Sequence, residues 1–158
     1  MVKIGSYPVY IFAILKLVWF KQLVINMTQD VIEQMISATL LEANLLQVPI
    51  TVSIVDLGGH LVAMQRMDGC SFFALDVSQK KAVTASQFKM PTHTLYELAQ
   101  RVPGMEKALD KNSAILPIVG GFPVIVNEQV VGGLGISGGD ADQDKAIGEK
   151  GIQALLPD

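Results

Sequence analysis

The sequence predicts an α+β domain: an antiparallel sheet with helices on both faces. Three observations carry this. Short β-like runs are joined by tight turns, as in hairpins, which makes the sheet largely antiparallel. Stretches with apolar residues every three or four positions lie before, between and after those runs, supplying helices to cover the sheet. A chain of 158 residues, half of them hydrophobic, suffices for one layered domain with one core and is short for two.

The elements follow in order from Thr28. Ile32, Met35, Ile36, Thr39, Ala43 and Leu46 mark a helical stripe, with Thr28 as N-cap, Asp30 in the first turn and Pro49 closing the segment. Ile50, Val52 and Ile54 then alternate with Thr51, Ser53 and Val55. The Gly58-Gly59 turn joins that run to Leu61–Met67 as a hairpin. The next stretch, to Lys89, is helical, with Ala74, Ser78, Ala82 and Ala85 on one small-residue face suited to close packing. Pro91 interrupts it, and a short helix over Thr92–Arg101 follows, then a loop to Ala114. Strand-like pieces are expected around Pro117, over Phe122–Val126 and over Val130–Ile136, the last two joined by a turn at Asn127-Glu128-Gln129. Asp140 and Gln143 have capping-box spacing, and Asp142 and Asp144 lie at the positive end of a terminal helix. Ile147, Gly151, Ala154 and Leu155 form its apolar stripe.

Composition excludes several classes. With a net charge of −3 and no Lys/Arg run, nothing points to nucleic acid. The single cysteine, Cys70, forms no internal disulfide, which fits a reducing, cytoplasmic setting. Residues 1–26 are an atypical N-terminal extension. Their apolar runs are broken by Lys16 and Lys21, so they make a poor membrane helix, and no signal-peptide cleavage site follows. They read as an upstream over-reading of the gene, with Met27 as the natural start, or else as a flexible hydrophobic arm. The domain proper is 27–158.

Few motifs carry chemistry by themselves. Gly133, Gly135 and Gly138 match G-x-G-x-x-G, but no second strand follows, and the acidic helix entrance opposes a pyrophosphate, so a dinucleotide site is rejected. The strand glycines suit tight helix-on-sheet packing or the floor of a pocket for a flat ligand. His60 and His93 are too few for a structural zinc site. His60 reads as a solvated turn residue, whereas His93 stands among Thr92, Thr94 and Tyr96 at a helix entrance, a place for a proton-transfer group or a ligand. The serines lack a nucleophile elbow, Cys70 lacks an activating neighbour, and Asp56, Asp68 and Asp76 suit turns and caps. No catalytic set emerges.

Three segments in order, "VDLGGHLVAMQRMDG", "KKAVTASQFKMPTHTL" and "LPIVGGFPVIVNEQVVGGLGISGGDADQDKAIGEKG", resemble the GlcG/HbpS-like family, the haem-degrading domain family that includes the C-terminal domain of PduO-type proteins. The likeness runs from about Thr28 to the C-terminus. It implies a profilin-like fold assembled into homo-oligomers, dimers or larger rings. For some members it implies haem in a shallow site and iron release by haem degradation; others accompany glycolate, diol or glycerol metabolism, or cobalamin handling. The family's F-x-x-P-T element falls on Phe88, Pro91 and Thr92, which implies Thr92 at the iron with His93 beside it. Lys80, Lys81 and Lys89 are then partners for the haem propionates, and Phe88 and Met90 apolar contacts to the porphyrin. The helix entrance at Thr92 equally suits a small carboxylate. The expectation is a small oligomeric haem- or tetrapyrrole-binding protein that assists haem degradation. The alternative is a non-catalytic accessory or chaperone domain for a cobalamin-dependent enzyme of glycolate, diol or glycerol metabolism.

Overall fold

The computed structural model describes residues 27–156; residues 1–26, and with them the two readings of the extension, lie outside it. Helix α1 (Gln29–Leu45) starts as expected, with the Thr28 hydroxyl accepting from Val31 N–H. Met35, Thr39 and Ala43 form its buried stripe, while Leu46 lies past the helix end and is exposed. Strands β1 (Thr51–Asp56) and β2 (Leu61–Arg66) form the first hairpin. Helices α2 (Phe73–Phe88), α3 (Thr92–Arg101) and α4 (Met105–Leu109) follow. Then come β3 (Gly121–Val126), β4 (Gln129–Ser137) and α5 (Ala141–Gln153).

The four strands run β2-β1-β4-β3, every pairing antiparallel. The β3–β4 turn places Asn127 and Glu128 at positive φ, the conformation that a two-residue hairpin needs to match strand twist. Helices α1 and α5 pack together on one face of the sheet, against Val52, Ile54, Leu134, Ile136 and Val124. Helix α2 lies across the other face. The fold is therefore the α+β arrangement expected, with helices on both faces, and β1 is buried along most of its length because both sides are covered.

The glycines of β4 explain how closely α2 lies. A Cβ on Gly133 would collide with the Ala82 carbonyl, and one on Gly135 with the Ser78 carbonyl. Facing them, Ala74, Ser78, Ala82 and Ala85 are all buried, and the Ser53 and Ser78 hydroxyls meet at 2.7 Å. Helix-on-sheet packing thus accounts for the strand glycines, and the helix occupies the place of a ligand floor.

Three local expectations are corrected. The run around Pro117 is not a strand: Thr84 Oγ1 accepts from Leu116 N–H at 2.7 Å, so a helix side chain satisfies backbone that a sheet would otherwise pair. The loop to Ala114 contains α4, preceded by Gly104 at φ +83°. Ala154 follows the end of α5 and is exposed, and Gly148 takes its place in the buried stripe.

Candidate functional site

The junction between α2 and α3 is a corner. Lys89 ends α2 in the left-handed region (φ +55°), and Pro91 then sets the extended entry to α3. Thr92, the first residue of α3, is fully buried. Its hydroxyl donates to the Ile118 carbonyl at 2.6 Å and accepts from Gly121 N–H at 3.0 Å. Thr92 and Thr84 therefore hold the segment between Leu116 and Gly121 against the helices, one hydroxyl at each end.

That pinned segment forms one wall of a cavity of about 710 Å³, bounded by α2, α3 and the start of α5. Ala74, Val77, Leu116, Ile118 and the ring of Tyr96 make its apolar sides. Lys81 and Asp144, also among its lining residues, are charged side chains with 3% and 5% exposure. Lys81 Nζ donates to Asp144 Oδ2 at 2.7 Å and to the Ile136 carbonyl at 2.8 Å, and Gly139 N–H donates to Asp144 Oδ1 at 3.0 Å. Burial pushes the Lys81 ammonium down and the Asp144 carboxyl up, each effect opposed by the partner's charge.

The other residues expected at a site are dispersed around this corner. His93 is partly exposed, with its ring edge-on to Phe122 at 6.2 Å between centroids. Its Nδ1 is the one buried side-chain polar atom among the described residues that lacks a hydrogen-bond partner. Phe88 and Met90 pack on a small cluster of Leu95, Ala99, Leu109 and Ile115. Lys80 is tied to Asp76 at 2.8 Å on the surface of α2, and Lys89 is exposed. Of the three lysines only Lys81 enters the cavity. His60 pairs with Asp56 at 3.1 Å in an exposed turn; its backbone N–H is the main influence holding the Asp56 carboxyl below its ordinary range.

Two cavity residues, Asp144 and Tyr96, are not among the site residues that the sequence suggests. A signal for the first was present. Lys81 stands between Ser78, Ala82 and Ala85 on the small-residue stripe, and a lysine on a buried face requires an acid.

The family model described as haem degrading protein HbpS-like matches residues 27–153. An uncharacterised 15.0 kDa protein from the dhaT-dhaS intergenic region of Citrobacter freundii is 36% identical over 125 residues, 77% of this chain and 84% of that one. The corrinoid adenosyltransferase PduO of Salmonella typhimurium is 34% identical over 127 residues; these are 78% of this chain and 37% of that protein. Among solved structures, that of a PduOC:Heme complex superposes with a TM-score of 0.76 at 32% identity, covering 83% of this chain and 96% of the other.

Proposed function

The chain belongs to the haem degrading protein HbpS-like family, and from that premise we propose that it binds haem, or a related tetrapyrrole, on the surface around the start of α3, with His93 as the iron ligand. The observation that carries this is the unpartnered imidazole. Nδ1 is buried without a hydrogen bond while the residue as a whole is partly exposed, so ligation would fall to Nε2. Imidazole is a standard axial ligand of haem iron. Thr92, whose hydroxyl is engaged by two backbone groups, fixes the residue next to it and the wall behind it. Lys89, exposed at the corner, is the lysine best placed to meet a propionate, while Lys80 would have to leave Asp76. Phe88 and Met90 serve as apolar contacts only where they emerge from their own cluster.

Bound there, the iron would supply the redox chemistry of porphyrin breakdown, and the protein would supply position. We read the protein as a homo-oligomer, a dimer or larger ring. Phe72 and Phe73, each 75% exposed, support this, because monomers rarely leave adjacent large apolar side chains in water. No helix among the described residues is long and apolar enough to cross a membrane; a cytoplasmic setting is part of the proposal, resting on one free, buried cysteine. The second reading, an accessory domain for a cobalamin-dependent enzyme, draws on the likeness to PduO, of which this chain matches little more than a third.

Haemin titration followed in the Soret region tests the proposal. A saturable shift that survives Thr92→Ser and is lost in His93→Ala is expected. A parent-like shift in His93→Ala would remove His93 as the ligand. Non-saturating absorbance in the parent would remove haem and leave the accessory reading in front.

A further inference from the structure

We infer that the 710 Å³ cavity binds, beside Lys81, a small, uncharged and largely apolar carbonyl compound, whose oxygen accepts a hydrogen bond from Lys81. This site is separate from the surface proposed for haem, and the inference does not depend on that reading.

The ligand's chemistry follows from what the cavity leaves unmatched. An ammonium has three N–H donors. Lys81 directs one to Asp144 and one to the Ile136 carbonyl; the third has no acceptor among the described residues, and Lys81 lines the cavity. The vacant position is therefore a donor, and a ligand must present an acceptor to it.

Charge decides which acceptor. Lys81 contributes +1 to the lining, and Asp140 and Asp144 contribute −1 each, so a carboxylate or phosphate would enter a negative surrounding. The start of α5 offsets this only in part, because three of its N–H groups are taken from within: Asp140 accepts from Gln143 N–H, Gln143 Oε1 accepts from Asp140 N–H, and Asp144 accepts from Gly139 N–H. A cation offers Lys81 no acceptor. The walls of Ala74, Val77, Leu116 and Ile118 favour hydrocarbon for the rest of the molecule. A neutral carbonyl group on an apolar body meets all three demands.

The buried pair itself is consistent with a site. Two charges removed from water contribute little net stability compared with apolar residues of the same volume. Holding Lys81 beside Asp144 keeps an oriented, charged donor next to the apolar walls of the cavity.

Three probes of similar size separate the possibilities: acetophenone, benzoate and ethylbenzene, titrated into the haem-free protein by NMR. Acetophenone labelled with ¹³C at the carbonyl should bind saturably, with its resonance moving downfield. It should bind about tenfold more tightly than either other probe, a difference of about 1.4 kcal/mol. Because Lys81→Met alone leaves Asp144 unpaired, the partner variant is the double replacement Lys81→Met/Asp144→Leu, which should lower acetophenone to the level of ethylbenzene. Equal binding of ketone and hydrocarbon, tighter binding of benzoate, no binding of any probe, or a double variant that holds acetophenone as the parent does would each overturn the assignment.

Discussion

Removing one partner of the Lys81–Asp144 pair should destabilise the protein far more than removing both. The two atoms are 2.7 Å apart and both side chains are almost fully enclosed. At an effective dielectric of about 20, the gross attraction at that distance is about 6 kcal/mol. Desolvation of several kcal/mol per ion takes most of this back. The net worth of the pair is therefore small, but its single-site deletions are not. In Lys81→Met, Asp144 keeps the bond from Gly139 N–H and loses its cation, and the expected cost is about 3–5 kcal/mol. Asp144→Leu leaves the Lys81 charge stranded and should cost a similar amount. The double replacement should lie within about 1–2 kcal/mol of the parent, or above it.

The pH dependence has a definite sign. Burial already raises the Asp144 carboxyl, and the charge of Lys81 is what opposes that rise. Without Lys81 the folded-state value moves further above the unfolded one. A group raised in this way contributes stability that is fully present below its unfolded pKa and is lost as pH climbs through the folded value. Lys81→Met should therefore be closest to the parent in acid and fall away toward neutrality. Urea unfolding followed by circular dichroism at pH 7 and near pH 5, on all four proteins, measures both effects. Single variants within about 1 kcal/mol of the parent at pH 7 would refute the reasoning, as would a Lys81→Met penalty that grows on acidification.

Other substitutions probe the frame that holds the cavity. Thr92→Val strands Gly121 N–H and the Ile118 carbonyl and should cost about 2–3 kcal/mol, whereas Thr92→Ser should recover most of that in the same denaturant assay. Gly135→Ala sets a methyl group against the Ser78 carbonyl, and neither backbone can withdraw without moving α2 from the sheet. A loss of about 3 kcal/mol is expected in thermal or urea unfolding. Asp140→Ala removes half of the α5 capping box and should cost about 1 kcal/mol in the same unfolding assay.

What could be read from the sequence was local. The Gly58-Gly59 hairpin, the β3–β4 turn and the α5 capping box each depend on residues within a few positions of one another, and each was found where the spacing put it. The failures share a different cause. Leu116-Pro117-Ile118 has the apolar character of a strand, yet its backbone bonds go to Thr84 and Thr92, 32 and 26 residues away. Lys81 alone of the three lysines falls on the small-residue stripe, but the acid that this position requires, Asp144, lies 63 positions on and cannot be picked out by local spacing. Gly133 and Gly135 admitted two readings until the partner surface, the small face of α2, was in place.

The same long-range bonds govern how ligand experiments at the α2–α3 corner must be interpreted. Thr92 and His93 are adjacent in sequence but do different things: one hydroxyl is enclosed between Ile118 and Gly121, and one ring lies at the surface against Phe122. Deleting Thr92 releases the 118–121 segment, and with it a cavity wall and the neighbour of Phe122. Loss of haem in Thr92→Ala would then report a displaced surface as readily as a missing ligand. A joint Thr92→Ala/His93→Ala replacement merges the two effects. Thr92→Ser keeps the hydroxyl and its two bonds, and His93→Ala leaves the clasp alone, so comparing these separates ligation from support. If Thr92→Val loses haem and stability together while Thr92→Ser keeps both, Thr92 acts as the clasp. If Thr92→Val stays as stable as the parent and still loses haem, its hydroxyl faces the ligand and the bonds to Ile118 and Gly121 must give way on binding.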